Sequence, residues 1–316
     1  MNQTKICILG GSGFVGSHIV SLLAAQGTAV RVVTAKREHA KTLFVFPSVE
    51  IVEANIHDEV ELARVTNGCD SVINLVGVLH DSRKHGKGFR HAHVELARKV
   101  ITACKANGIE RLLHMSALKA HVSAPSGYLR SKGKAEQLVR DSGLKWTIFC
   151  PSVIFGRGDN FLNLFASLLS VVPLMPLAGA KAKFQPVWVE DVAQAFVNSL
   201  QNRNTFGQSY NLCGPKKYTL HELVQLVASI KNVKRIIIGL PAPIAKFQAL
   251  VMEYLPGKLM SRDNLLSMEV DSTCDCDFPA VFGFTPSALE SIAAQFLSQE
   301  SMRSRFNVFR AGAGRK

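Results

Sequence analysis

The chain has 316 residues, of which 47% are hydrophobic and 19% charged, long enough for a large core and better divided as one doubly wound domain with a smaller lobe than as two equal domains. Its 7 cysteines are scattered and odd in number, and only Cys274 and Cys276 are close, at a spacing that is not a metal knuckle; reduced thiols and no metal site are expected. The net charge of +13 raises the question of an acidic partner, but no nucleic-acid module or interleaved aromatic pattern accompanies it, so nucleic acid is excluded.

Ile6-Cys7-Ile8-Leu9 reads as a first strand, and it begins too early in the chain to leave room for a signal peptide. Gly10-Gly11-Ser12-Gly13-Phe14-Val15-Gly16 follows, and then Ile19, Val20, Leu22 and Leu23 at helical spacing, stopped by Gly27. Strands are expected at 29–34, 49–54, 71–76, 111–116 and 146–150, with helices at 38–46, 59–66, 91–106 and 128–140. Strands and helices alternating at this spacing predict right-handed βαβ units and a twisted parallel sheet. The strand at 71–76 is nearly all apolar, as a sheet covered on both faces requires.

Beyond Pro151 the rhythm changes. A helix at 161–172 ends in a proline-rich turn, Pro173 to Pro176; it is too short to span a membrane. A strand is expected at 184–189, a helix at 191–200, and a return to the sheet at 209–212. Thr219 and Glu222 form a capping-box pattern. A strand at 235–240 and a helix with a broad apolar face at 244–255 follow. Thr285-Pro286 reads as the start of a last helix reaching Ser298, and the rest as a basic disordered tail. The domain reading is therefore 1–155 with 184–213 as the nucleotide-binding domain, 156–183 with 214–300 as the small lobe, and 301–316 as the tail.

Strand, tight glycine turn and helix form the context in which a glycine fingerprint marks a dinucleotide site. Glycine permits the sharp turn and lets backbone approach a pyrophosphate. The first helical amides then point at the phosphates. A second pair stands out. Tyr128 and Lys132, four residues apart, share one helix face. An ammonium beside a phenol favours the phenolate and pulls its pKa down from about 10, which suits proton transfer at a carbonyl undergoing hydride exchange. Glu136, a further four residues on, is a competing ion-pair partner for Lys132.

Gly10-x-x-Gly13-x-x-Gly16, Asn74-Leu-Val-Gly77, Tyr128-x-x-x-Lys132 and Pro151-Ser-Val-Ile-Phe-Gly156 together resemble the extended short-chain dehydrogenases/reductases. The segment Phe184 to Ala193 is similar to that family's second-lobe return. The closer resemblance is to the atypical branch that includes the nucleotide-binding alpha-subcomplex accessory subunits of NADH:ubiquinone oxidoreductase. It is carried by Asn74 to Leu79, His93-Val-Glu95, His114 to Leu118, Pro151 to Gly156, Gln185-Pro-Val and Leu255-Pro-Gly257. The resemblance implies an α/β Rossmann protein, a doubly wound parallel sheet with a small C-terminal α+β lobe. It also implies nucleotide contacts from Gly10, Ser12, Gly13, Phe14, Val15, Gly16, Thr34, Lys36, Arg37, Asn55, Ile56, Leu75, Val76, Gly77, Tyr128, Lys132, Pro151 and Val153.

The departures bear on activity. Family members place a catalytic Ser or Thr where this chain has Leu118, two residues beyond Ser116, and an asparagine where it has His93. Tyr128 and Lys132 are kept as the catalytic pair; turnover is in doubt where nucleotide binding is not. The acid that would hold an NAD ribose after the second strand is missing: Thr34 and Ala35 stand there, followed by Lys36 and Arg37. NADP(H) is thus favoured over NAD(H). Asn55 and Ile56 fall where relatives flank the adenine, and Asn55 can bond a base edge.

Three functions follow: a nucleotide-binding subunit or assembly factor tied by resemblance to respiratory complex I or quinone metabolism, a reductase of small carbonyls using Tyr128 and Lys132, or an NADP(H)-responsive regulator. Expected partners are the dinucleotide and, through Arg303, Arg305, Arg310, Arg315 and Lys316, a membrane surface or respiratory complex. Arg83, Lys84, Lys87 and Arg90 form a second basic cluster. A cytoplasmic monomer, peripheral at the inner face of a membrane, fits these expectations.

Overall fold

The computed structural model describes residues 4–81, 86–254 and 260–298. The basic tail at 301–316, Arg83 and Lys84, and Leu255-Pro-Gly257 lie outside the described residues.

The chain divides into two units. The first comprises Met1–Ser152, Val189–Leu212 and Cys274–Thr285. Its strands are β1 (Lys5–Leu9), β2 (Ala29–Thr34), β3 (Val49–Glu53), β4 (Ser71–Asn74), β5 (Arg111–Met115), β6 (Lys145–Pro151) and β11 (Gln208–Leu212). They form one parallel sheet in the order β11-β6-β5-β4-β1-β2-β3. This is the expected doubly wound Rossmann sheet, and the segment near residue 210 does return to it.

Alternation along the strands sends side chains to both faces. Cys7, Leu9, Val72 and Leu112 join Leu62, Leu96 and Val100 in one core layer. These belong to α2 (Glu59–Thr66) and α4 (Leu96–Ala106). On β6, Phe149 stacks on Phe196 of α7 (Val189–Ser199) with ring centroids 3.9 Å apart. β1 lies between β2 and β4, so the direction of winding reverses there. Ligands of open α/β sheets bind at the carboxyl ends of strands at such a switch point.

Several expectations change in detail. The second helix is a 3₁₀ segment, Arg37–Leu43, kinked at Ala40. The helix expected at 91–106 begins as α3 (Lys87–Phe89), passes through a π-helical stretch, Arg90–Glu95, and continues as α4. The wide π turn re-aims the side chains it carries. The cysteines are not uniformly reduced: Cys7, Cys69, Cys104, Cys150 and Cys276 are free, whereas Cys213 and Cys274 are disulfide-bonded.

The second unit comprises Val153–Trp188, Cys213–Thr273 and the chain from Pro286 onward. Its strands pair in twos: β7 (Ile154–Phe155) with β10 (Val187–Trp188), β8 (Leu174–Leu177) with β13 (Ile236–Gly239), and β9 (Lys183–Phe184) with β12 (Tyr218–Thr219). The expected strand at 184–189 is therefore two short ones, interrupted where Pro186 has no N–H to give. The expected proline turn at 173–176 is largely strand β8, which tolerates Pro176 because it is paired on one side only. Its helices are α6 (Leu162–Val171), α8 (Leu220–Ile230), α9 (Ala242–Tyr254), α10 (Arg262–Ser267) and α11 (289–298). Thr219 and Glu222 make the predicted capping box on α8. Leu162, Leu169, Leu223, Val227, Leu289 and Phe296 build this unit's core. Among the described residues no helix is long and apolar enough to cross a membrane.

Candidate dinucleotide site

The glycine turn joins β1 to α1 (Phe14–Ala25) at the switch point. Gly10 has φ +81°, the left-handed region that favours glycine. The Gly13 N–H donates to the Gly10 carbonyl at 3.0 Å, closing the turn. A Cβ on Gly16 would stand 2.3 Å from the Gly10 oxygen and 2.6 Å from Gly11 Cα, so the helix meets the turn with no room for a side chain. Phe14, Val15 and Gly16 are the first three residues of α1. No side chain caps that helix and no acid sits in its first turn. The backbone thus forms a small cradle that presents helix amides and partial positive charge, which fits a pyrophosphate.

Ser12 ties the cradle to the end of β2. Its hydroxyl donates to Thr34 Oγ1 at 3.2 Å, and Thr34 in turn donates to the Lys36 carbonyl at 3.0 Å. Lys36 and Arg37 are exposed beyond it. The Arg37 guanidinium lies 5.2 Å from the centroid of the Phe44 ring, and the Arg37 N–H donates to Glu53 Oε2 at 2.9 Å. Glu53 is a carboxylate that the sequence reading passed over. It is the last residue of β3, and parallel pairing sets it against Thr34. Asn55 accepts the His57 N–H on its side-chain carbonyl at 3.1 Å, so it has its amide N–H groups to offer a base edge. Ile56 is half-buried beside it and packs on the first unit's core.

The segment after β4 closes the other side. A Cβ on Gly10 would lie 3.5 Å from the Leu75 carbonyl carbon and from Val76. Leu75 is buried, Val76 half-buried and Gly77 exposed. A Cβ on Gly77 would stand 3.0 Å from Lys132 Nζ and 3.6 Å from His93 Nε2. The glycine turn, residues 75–77, and Lys132 on α5 (Gly127–Arg140) are therefore neighbours. Pro151 ends β6, and its carbonyl accepts the Leu118 N–H at 3.0 Å. Val153 belongs to the second unit, where its carbonyl accepts the Val187 N–H at 3.0 Å.

Lys132 is buried, and its Nζ donates to the Met115 carbonyl at 3.0 Å. Burial lowers its pKa to about 8, with Glu136 and Cys150 working in the opposite direction. The half-buried Tyr128 ring lies edge-on to His93, centroids 5.7 Å apart. Its phenol does not follow the expectation of a lysine-lowered pKa: burial pushes it up to about 12. Glu136 is no surface partner for Lys132 either. It is buried, accepts from Ser116 Oγ, and also takes Cys150 Sγ at 3.5 Å and Arg140 at 3.2 Å.

His93, in the π turn, has both ring nitrogens engaged. Nε2 accepts the Val78 N–H at 3.1 Å. Nδ1 therefore carries the proton and meets Ser131 Oγ at 2.7 Å. Ser131 donates onward to the Tyr128 carbonyl at 2.7 Å. Burial, helped by Lys132 and His114, lowers the His93 pKa to about 2, so the imidazole is neutral. Leu118, where the resemblance led to the expectation of a hydroxyl, is buried and apolar. On the sheet, Asn74 Nδ2 lies 3.3 Å from His114 Nδ1, and Asn74 Oδ1 accepts the Val76 N–H at 3.2 Å.

Residues 10–160 match the family model described as NAD(P)H-binding. NADH dehydrogenase (ubiquinone) 1 alpha subcomplex subunit 9, mitochondrial, from Arabidopsis thaliana is 32% identical over 259 residues, covering 80% of this chain and 64% of that protein. The chain thus spans just under two thirds of that relative's length. The protein of the same name from Mus musculus is 29% identical over 300 residues, covering 90% of this chain and 77% of that protein. The NADPH-dependent quinone oxidoreductase of Escherichia coli, solved with NADPH, superposes with a TM-score of 0.74 over 92% of this chain and 99% of that chain at 18% identity, which shows a shared fold.

Proposed function

We propose, from the match of residues 10–160 to the NAD(P)H-binding family model and the chain's similarity to the complex I subunit 9 relatives, that it is a nucleotide-binding accessory or assembly protein of a respiratory membrane system, built on the extended short-chain dehydrogenase/reductase plan. NADP(H) is its preferred ligand. It turns over slowly or not at all, and its place is peripheral to a membrane.

The residues for holding the nucleotide are the Gly10–Gly16 cradle for the pyrophosphate, Lys36 and Arg37 for a 2′-phosphate, Asn55 and Ile56 for the adenine, and Leu75, Val76, Gly77 and Pro151 toward the nicotinamide half. The bound nicotinamide supplies a hydride to a carbonyl or accepts one from an alcohol. The chain's own part is to bind, orient and handle the proton. Lys132, an ammonium at neutral pH, suits a ribose hydroxyl. Tyr128, with its pKa near 12, keeps its proton at neutral pH and is a hydrogen-bond donor rather than a base.

The single observation that carries the reading of weak turnover is where the polar groups around Tyr128 go. Ser116 is committed to Glu136, His93 to Val78 and Ser131, and Leu118 has no hydroxyl. No second donor in that trio is left to fix a substrate carbonyl against the phenol. The active-reductase reading draws on Tyr128 and Lys132 sharing one face of α5. Hydride transfer from NADPH to a panel of small carbonyls and quinones tests the choice. The expected rate lies well below the ordinary range of roughly 1–10³ per second. Ordinary rates that fall by about 10²–10⁴-fold in Tyr128→Phe would replace this reading with the reductase.

A further inference from the structure

The second unit carries an apolar surface that no element among the described residues covers. In β8 and β13 the parallel register sets Ile236 beside Leu174 and Ile238 beside Pro176. All four are exposed, while Met175 and Leu177 on the opposite face are buried. Val171, at the end of α6, is 81% exposed just before this strand. Helix α9 continues the surface: its Gln248 side chain donates to the Pro176 carbonyl at 3.1 Å.

α9 is built inside out. Among its described side chains only Ala245 and Ala249 are buried, two methyl groups one turn apart, while Gln248, Met252 and Glu253 are half-buried. Ile244, Phe247, Leu250 and Val251, its large side chains, face outward, with Phe247 66% exposed. A helix stabilised only by its own unit would bury the large residues and expose the small ones. An exposed patch of this kind marks an interaction surface.

Its charge says what kind. From Leu223 to Met252 the sequence holds Lys231, Lys234, Arg235 and Lys246 and not one carboxylate; from Leu162 to Ala180 there is no carboxylate either. The next residue of α9, Glu253, is a carboxylate, but it is paired with Arg262 at 2.9 Å; large apolar side chains flanked in sequence by cations match the boundary between anionic headgroups and acyl chains. We propose that the face formed by β8, β13 and α9 docks on the surface of an anionic lipid bilayer, with Ile244, Phe247 and Val251 entering the acyl boundary and Lys234 and Lys246 at headgroup level. The docking is independent of the nucleotide reading and of the basic tail.

The test sediments the full chain with vesicles of phosphatidylcholine alone and of equal parts phosphatidylcholine and phosphatidylglycerol. The parent is expected to bind the anionic vesicles and to lose that binding at high salt. Ile244→Glu with Phe247→Glu should weaken partitioning at least tenfold. Lys234→Gln with Lys246→Gln should weaken it by about fivefold per charge. All four side chains are exposed, so an unchanged thermal midpoint is expected to accompany the loss. Unchanged partitioning in the Glu variant overturns the proposal. So does a parent that ignores anionic vesicles, or binding that disappears only when residues 302–316 are deleted. A parent that sediments as a dimer, turned monomeric by the Glu variant, would assign the face to a second copy instead.

Discussion

His93 and His114 are imidazoles that burial holds neutral, with pKa values lowered to about 2 and about 3. Their unfolded value is about 6.5. Between these limits the unfolded chain binds more protons than the folded one. The stabilising contribution is therefore complete above pH 6.5 and is lost as pH falls toward 3. Each histidine should cost up to about 1.4 kcal/mol of stability per pH unit in that window. Urea unfolding at pH 7.5 and 5.0 is expected to give a loss of about 2 kcal/mol per histidine, and His93→Asn should remove its share of the dependence. A parent equally stable at both values would contradict neutral burial. The sequence made the glycine turn, Tyr128 and Lys132 legible, because turn chemistry and helical spacing are local. It hid what surrounds them. Glu53 reaches the β2 end through strand pairing, and only in the fold does Ser131 meet His93 of the π turn and Glu136 meet Ser116 just beyond β5. The Tyr128 pKa moved the other way because desolvation, invisible in spacing, raises it.

At the scale of elements, the closing edge of the first unit's sheet hangs on Arg111 of β5. The side chain is 5% exposed and has no acidic partner among the described residues. Its guanidinium donates to the carbonyls of Ser199 at 2.6 Å, Lys145 at 2.7 Å and Leu200 at 3.2 Å, and to Thr205 Oγ1 at 3.1 Å. It also lies 4.5 Å from the Phe206 ring centroid. These contacts bind the end of α7 and the turn before β11 to the sheet. Arg111→Ala leaves buried carbonyls unpaired and should cost about 2–4 kcal/mol, read as a fall in the thermal midpoint. A change under about 0.5 kcal/mol, the range of an ordinary surface substitution, would contradict this role. The sequence predicted that the chain returns to the sheet near residue 210, yet nothing in its periodicity points to a buried arginine as the fastening. The π turn at Arg90–Glu95 escaped for a related reason: its hydrophobic pattern reads as a plain helix until His93 is found facing Val78 and Ser131. Pro176 misled in the opposite sense. A proline reads as a turn, but an edge strand needs no N–H at that position.

Over the whole molecule, the alternating strands and helices made the parallel sheet readable, because a sheet buried on both faces must be apolar throughout and connected by helices. The second unit was harder. Its strands are two to four residues long and pair across distant sequence, leaving little period to detect. Its outward apolar face also looks like core when only composition is read. The net charge of +13 acts at this scale too, drawing the protein toward anionic ligands and surfaces. On the proposed function, the cradle at the switch point holds a dinucleotide and Lys36 and Arg37 select its phosphate. Glu53, close by, opposes that selection in part. Calorimetric titration of the full chain with NADPH and with NADH tests this most directly, repeated on Lys36→Ala with Arg37→Ala. Tighter binding of NADPH is expected, with a loss of roughly ten- to a hundredfold in the double variant from lost charge-assisted bonds and NADH affinity nearly unchanged. Equal affinities for the two nucleotides in the parent would contradict the selection, and no binding of either would contradict the site.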